Sequence, residues 1–520
     1  MAFPYFAFLI LLICVYANAQ KACGVTSDNV PGPLIAADGY EYQLLVKGLS
    51  KPRGIVFDNQ GHLLVVENGK GLSALTLKDE GPTGCVRVVT NQPIVEGRAD
   101  QPLRFNHGIQ LDIDSKRLFV SSKSALVSYD YNPTTAKVIG TNYTTWVEGM
   151  SGSDHTTRTL LLSKKAPGTI LISRGSTGNM DWGATDKATG ISNIRSFNVA
   201  PPFKKTKQYT EGTLIGMGLR NSIGMDEHPI SGGIWSNENA ADDIRRDKID
   251  THENVPGEEV NFHGYLNGTA SPATGANYGY PYCASVWGLD AMFKDASKKT
   301  VAFPRKDKLQ VGKQFFVGDV NGMLPTGQLP TKGLDTSVFT VMKKTGESDA
   351  TCQDPKKFTP PRLTLPPHWA PIDMRFNSKG TVAYMTSHGS WNRDTPDGYQ
   401  LFAIAWDDKG EPVPPPTSET AAVAILQNKN VKVCSLMNKG CIHPTGLAFS
   451  PTGKLYMASD NSGEIYVISR KDGKSVDSVD SAIIDVLGKK QYATKIPTPP
   501  VLRVRTESTW GVLWKMFGAL

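Results

Sequence analysis

Little in this chain points to a strongly charged partner. Its 56 Lys and Arg face 49 Asp and Glu over 520 residues, and the basic residues are dispersed, with none of the runs that follow a phosphate backbone. Nucleic acid is therefore not an expected partner. Beyond residue 15 the chain also lacks any apolar stretch of the ~20 residues that a membrane span requires. No cysteine pair shows Cys-x-x-Cys or metal-finger spacing, which excludes zinc ribbons and thiol-redox motifs. The 50 Gly and 34 Pro have no triplet period, excluding collagen, and 39% hydrophobic against 20% charged residues is too apolar for disorder. Gly and Pro instead punctuate many short elements, favouring strands and turns.

The N-terminus sets the expected compartment. Phe6 to Val15 is almost wholly apolar and is followed by Ala17-Asn18-Ala19, a small-x-small cleavage pattern. Residues 1–19 read as a signal peptide, residues 20–475 as the main domain and 476–520 as a C-terminal tail. Secretion is expected. Trp510 to Leu520 is apolar except for Lys515 but lacks a small-residue site and polar spacer, so a lipid anchor is the less favoured reading.

Cleavage after Ala19 removes Cys14 and leaves six cysteines, an even number suited to an oxidising compartment. Of the 15 possible pairings, proximity in sequence favours Cys434 with Cys441, Cys23 with Cys85, and Cys283 with Cys352. Asn142-Tyr-Thr144 and Asn267-Gly-Thr269 are glycosylation sequons.

One phrase recurs along the chain: an opening turn, a strand, a Gly-containing turn, and a second strand ending in polar residues. Pro52 to Gly69 is the clearest copy, and others begin at Asn106, His155, Leu219, His368 and His443. Each copy is a period-2 strand pair that cannot bury both faces alone, whereas radial stacking of four-stranded sheets does so. The expected fold is all-β, a six-bladed β-propeller. The long interval after the fourth copy, Phe262 to Pro367, is expected to hold inserted loops and additional strands covering one face.

The copies end in Glu67-Asn68, Ser121 to Lys123, Arg174, Glu238-Asn239, His388 to Arg393 and Asp460-Asn461, so polar residues gather at one mouth of the central channel. Arg53 and Arg220 open copies and also reach toward the axis. Several cations facing one channel imply an anionic ligand between them, held by guanidinium forks; the alternative is that each Arg pairs with a neighbouring carboxylate or carbonyl. For Asp242 and Asp243, salt bridges to Arg245 and Arg246 are favoured over the alternative of metal ligation. Trp391 and Trp369 offer flat faces for stacking, with packing the more expected role of Trp369.

Five strings then carry a resemblance: Gly218-Leu-Arg-Asn221, Glu238-Asn-Ala-Ala-Asp-Asp243, Gly257-Glu-Glu-Val-Asn261, Asn277-Tyr-Gly-Tyr-Pro281 and His388-Gly-Ser-Trp-Asn-Arg-Asp394. Together they resemble the glucose/sorbosone dehydrogenase family, in particular the fungal pyrroloquinoline-quinone-dependent pyranose dehydrogenases, from about Gly48 to Ile468. The resemblance implies an enzyme that oxidises an aldose or ketoaldose at its reducing carbon, with pyrroloquinoline quinone and Ca²⁺ as cofactors and an external electron acceptor such as a haem protein. It implies that His155, in Asp154-His155-x-x-Arg158, is the catalytic base. It also implies that the quinone is bound by residues drawn from Arg53, His107, Arg174, Arg220, Asn221, His388, Trp391, Asn392 and Arg393. The metal would be met by main-chain carbonyls near Asn239 and Ala240.

Where relatives usually carry Gly, this chain has Ala240; if that residue takes a positive φ, its methyl costs roughly 1 kcal/mol or more. A Ca²⁺-dependent lactonase-type hydrolase and a non-catalytic propeller that binds a glycan or protein are the alternative readings.

Overall fold

The computed structural model describes residues 23, 32–96, 104–246, 249–295, 297–304, 306–317, 348–435 and 440–493. The expected signal peptide and the apolar C-terminal segment lie outside the described residues. Within them, six mainly antiparallel sheets, two of them with a short parallel strand at the outer edge, form a β-propeller.

The six copies are the six blades. Their innermost strands are Pro52–Phe57, Phe105–Asp112, Leu160–Leu162, Ser222–Glu227, Pro371–Phe376 and Pro444–Phe449, and each touches the next around the ring, the last returning to the first. The sixth blade takes its outer strand, Tyr40–Val46, from the other end of the chain, paired antiparallel with Glu464–Arg470. Leu34–Ala36 extends the fifth blade beside Val423–Asn428.

The packing follows from the alternation. In Leu63–Glu67 of the first blade, Leu64 and Val66 enter an apolar cluster shared with the second blade, while Leu63 and Val65 enter one shared with the sixth. The same arrangement gives one cluster between every pair of neighbouring blades. Each fully buried Val or Leu contributes roughly 1.5–3 kcal/mol, so a charge at Leu64 would open two blades along their contact.

Close approach at the axis depends on glycine. A Cβ on Gly54 would lie 2.0 Å from the His107 carbonyl oxygen, and one on Gly446 would lie 2.2 Å from that of Arg53. In five of the six blades the innermost strand is also out of step with its neighbour at one place: between Pro52 and Ile55, Phe105 and Ile109, Ser222 and Met225, Pro371 and Asp373, and Pro444 and Leu447. Such a bulge turns its residues out of the ladder and re-aims their side chains. Arg53 and His107 stand in two of them.

The insertion after the fourth blade carries the additional strands expected of it. Leu363–Leu365 completes that blade, and Cys283–Ser285 pairs with Gln314–Phe316. Phe293, Phe303 and Phe315 close a small apolar cluster with Ile244 and Val255. The disulfides are Cys23–Cys85, Cys283–Cys352 and Cys434–Cys441, the pairings expected from proximity. Part of the expected tail belongs to the fold: the helix Ser481–Ala493 buries Ile484 and Leu487 against the fifth and sixth blades, and Tyr492 donates to the Ala422 carbonyl at 2.6 Å. Among the described residues no helix is long and apolar enough to cross a membrane.

Candidate active site

One cavity opens at the mouth of the channel, with about 590 Å³ of space between its walls, part of it open to solvent. It brings together His155, Arg53, Arg220, Asn221, Asn239, Ala240, His388 and Trp391 of the expected site, with Asp242, Glu258 and His368 beside them. Glu258 lies within Gly257-Glu-Glu-Val-Asn261 and His368 opens the fifth copy, but neither position has a local signal for a site role.

His155 sits on the turn before the third blade. Arg158, itself buried, holds that turn by donating to the carbonyls of His155 at 2.7 Å, Thr157 at 2.8 Å and Met150 at 2.7 Å. The imidazole meets Ser176 through Nδ1, and Nε2 has no hydrogen-bond partner among the described residues. Burial, reinforced by the Arg220 charge and opposed by Asp242, lowers its pKa to about 3. The ring is therefore neutral across the ordinary working range, far below the usual imidazole value of 6.5.

The two cavity arginines are each paired. Arg53 binds Asp460 at 2.8 Å, and the other Asp460 oxygen meets His388 Nε2 at 2.8 Å. Burial works against that carboxylate, yet His388 and Arg53 together hold its pKa well below the usual range. Arg220 binds Asp242 at 2.9 Å, the Asn179 side chain at 2.9 Å and the Asn179 carbonyl at 3.1 Å. Asp242 also contacts His368 Nδ1 at 3.2 Å; although burial opposes it, Arg220 and His368 keep its pKa low.

Of the two readings of these arginines, pairing with a carboxylate is the one found, Arg53 with Asp460 and Arg220 with Asp242. The expected pairing of Asp242 and Asp243 with Arg245 and Arg246 is corrected. Arg246 pairs with Asp349, and Arg245 lies 3.9 Å from Asp250. Asp460 stands 407 residues from Arg53, so only the polar end of the sixth copy signalled it.

Several expected ligands lie elsewhere. Arg393 donates to the Glu253 carbonyl at 2.7 Å and faces its carboxylate at 3.4 Å, away from the cavity lining. Asn392 is fully buried, its amide donating to Asp243 at 3.0 Å and accepting from the Asp243 backbone N–H at 2.9 Å. Arg174 donates to the carbonyls of Thr189 and Ser151 at 3.0 and 2.9 Å and lies over the Tyr209 ring. His107 stands near the axis but outside the cavity lining, its Nδ1 buried and without a partner. Burial, then the neighbouring Arg53 charge, holds its pKa well below 6.5. Trp369 packs edge-on against Phe402, whereas Trp391 is 38% exposed at the rim.

Ala240 does not take a positive φ; in that run only Asp243 does, at 56°. The feared penalty for a methyl at 240 is absent. Its N–H donates to Glu258 at 2.6 Å, and burial pushes that carboxyl up to about 7, against the pull of His368. The described residues hold no cluster of three or more His, Cys, Asp or Glu able to bind a metal. Of the main-chain oxygens that a hard cation would need beside Asn239 and Ala240, that of Asn239 accepts from Arg220 Nη1 at 3.4 Å.

Over residues 34–471 the chain matches the family model described as TrAA12-like. It is 37% identical over 477 residues to the pyrroloquinoline quinone-dependent sugar dehydrogenase of Hypocrea jecorina (strain QM6a), covering 90% of this chain and 97% of that protein. The calcium structure of Trichoderma reesei Carbohydrate-Active Enzymes Family AA12 matches with a TM-score of 0.74 at 37% identity, over 87% of this chain and 100% of that one. The holo form of the pyranose dehydrogenase PQQ domain from Coprinopsis cinerea matches with a TM-score of 0.69 at 31% identity, over 85% and 99%. With the matched span covering all six blades and the cavity between them, the chain belongs to the TrAA12-like family.

Proposed function

We propose that this protein is a secreted quinoprotein dehydrogenase that oxidises an aldose or ketoaldose at its reducing carbon, using pyrroloquinoline quinone, Ca²⁺ and His155 as base. The observation that carries the reading is the bare Nε2 of a neutral imidazole in a cavity also lined by Arg53, Arg220 and an exposed tryptophan. The names of the similar proteins supply the cofactor and substrate class. Three disulfides agree with an oxidising compartment.

The residues present fit a planar, carboxylated cofactor. Arg53 Nε is buried without a hydrogen-bond partner, so this guanidinium retains a donor after pairing with Asp460. Arg53, Arg220 and Asn221 would hold the cofactor, and the carbonyls of Asn239 and Ala240 would meet the cation. When bound, the quinone supplies a two-electron hydride acceptor and Ca²⁺ the Lewis acid that polarises it.

The chain's own contribution is proton transfer and placement. His155 accepts the hydroxyl proton of the sugar at Nε2 while hydride leaves the same carbon. Trp391 offers an aromatic face at the rim for the sugar ring. Electrons then pass to an external acceptor such as a haem protein.

The test is reconstitution of purified protein with quinone and Ca²⁺, followed by rapid mixing with sugars. Reduction of the bound quinone by an aldose or ketoaldose is expected, with His155→Ala retaining cofactor but slowing reduction by about 10²–10⁴-fold. A protein that binds no quinone, or a variant that reduces it at the wild-type rate, would refute the reading or the role of His155 respectively.

A further inference from the structure

We propose that Ser176 is a positioning residue: it holds His155 as the Nδ1–H tautomer and so presents an unprotonated Nε2 to the cavity. The consequence for catalysis rests on the reading of His155 as base; the tautomer assignment does not.

Two oxygens of Ser176 face the same ring nitrogen. Nδ1 lies 2.8 Å from Ser176 Oγ and 3.1 Å from the Ser176 carbonyl. A carbonyl only accepts, and the single hydroxyl proton is already directed to the Gly178 carbonyl at 2.7 Å. The carbonyl is satisfied by the imidazole only when Nδ1 carries the proton, and the hydroxyl, while it donates to the Gly178 carbonyl, accepts from the same nitrogen. A buried neutral ring has one proton to place, so Nε2 is left bare. The opposite tautomer would set the Nδ1 lone pair against the Ser176 carbonyl and would require the hydroxyl to leave the Gly178 carbonyl, which disfavours it by roughly tenfold in population.

The local backbone is built for this contact. The strand Thr169–Arg174 runs out through Gly175, where a Cβ would lie 2.7 Å from His155 Cβ, so glycine permits the approach. Ser176 N–H donates to the Arg220 carbonyl at 2.8 Å, and His155 N–H donates to the Ser176 carbonyl at 3.3 Å. Seen from the ring, the charged neighbours are Arg220, Asp242 and Arg158, with Asp154 adjacent in sequence and Arg53, His368, Glu258 and His388 on the cavity wall. These act on how readily the ring charges. None of them is hydrogen-bonded to either ring nitrogen, so the choice between nitrogens falls to Ser176.

The experiment is nitrogen NMR of the full chain, cofactor-free, with ¹⁵N-labelled histidine and the His155 signals assigned from their loss in His155→Gln. Wild type is expected to show a protonated Nδ1 and a bare Nε2. Ser176→Ala leaves only the longer carbonyl contact, so a mixed tautomer population is expected, with kcat of the reconstituted enzyme falling about 2- to 10-fold at unchanged KM. Ser176→Asp places a carboxylate against Nδ1–H. It should restore the single tautomer and raise the protonation midpoint of the ring by roughly 1–3 pH units.

A protonated Nε2 in wild type, or ring signals that ignore Ser176→Ala, would overturn the proposal. If the ring responds as expected while His155→Gln reduces quinone at the wild-type rate, the positioning stands and the base assignment falls. A purely structural Ser176 would alter folding or cofactor affinity and leave both the tautomer and the protonation midpoint in place.

Discussion

The protonation of His155 offers the sharpest quantitative test. Its midpoint falls from the ordinary 6.5 to about 3, first because burial disfavours a charged ring and second because Arg220 stands close. At 1.36 kcal/mol per pH unit, that fall corresponds to roughly 5 kcal/mol against charging the ring. The unfolded chain takes the proton near pH 6.5, whereas the folded ring resists it until about 3. Above about 6.5 the residue therefore has no effect on stability. As pH falls from there to about 3 it removes up to roughly 5 kcal/mol, and below about 3 the loss is complete. Proton NMR of the cofactor-free protein, following His155 from pH 8 downward, should show no titration above about pH 4. Acid melting should be milder in His155→Gln than in wild type by an amount that grows as pH falls through that window. A His155 midpoint near 6.5, or equal acid sensitivity of the two proteins, would refute the claim that burial and Arg220 keep this imidazole neutral.

The remaining expectations concern binding and the framework. Arg53→Ala should weaken quinone binding by roughly 10- to 150-fold, the loss of one charge-assisted contact, with Arg53→Lys recovering part of it; calorimetry giving an unchanged dissociation constant would remove Arg53 from the site. Arg393→Ala should leave quinone affinity within about twofold, since its guanidinium is engaged by Glu253 rather than turned to the cavity; a large loss in the same titration would contradict this. A chelator should weaken quinone binding if a cation shares the site, and identical affinity with and without it would defeat that idea. Loss of Cys283–Cys352, which spans 69 residues, should cost about 4 kcal/mol, against about 2.5 kcal/mol for Cys434–Cys441, which spans 7. Denaturant midpoints of the two double-serine variants check the order.

The blades were legible because each had to solve the same burial problem within some twenty consecutive residues. Leu63 to Val66, Leu118 to Val120 and Leu455 to Met457 each send alternate side chains to two different neighbours, and this leaves a period of two in the sequence. The axial Arg53 and Arg220 were legible for a related reason, standing beside the opening turns of the copies. Their counter-ions were not. Asp460 reaches Arg53 only after the ring closes, and no local spacing records a pairing made across 407 residues; Asp242 meets Arg220 across the hairpin of its own blade, 22 residues away, through a turn that carries no strand periodicity. Arg393 shows the converse: it belongs to the most specific string in the sequence, yet Glu253, 140 residues upstream, takes it out of the cavity. Ser176 carried no signal, because a serine two residues after a strand is ordinary until an imidazole is set against it.

The repeated misstep of the innermost strands has a consequence for how such a protein can change. At Arg53, His107, Ile223, Ile372 and Thr445 the chain steps outside the ladder that joins the first two strands of a blade. Residues at such steps carry little of the pairing that holds the sheet together. Exchanging a side chain there redraws the chemistry around the axis while the alternating positions on either side keep the blades stacked. The five steps act as replaceable fittings on a fixed hub. Libraries confined to them, with Gly54 and Gly446 held constant so that neighbouring strands can still meet, should yield many folded variants with altered ligand preference, whereas libraries of equal size in Leu63 to Val66 should yield few that fold.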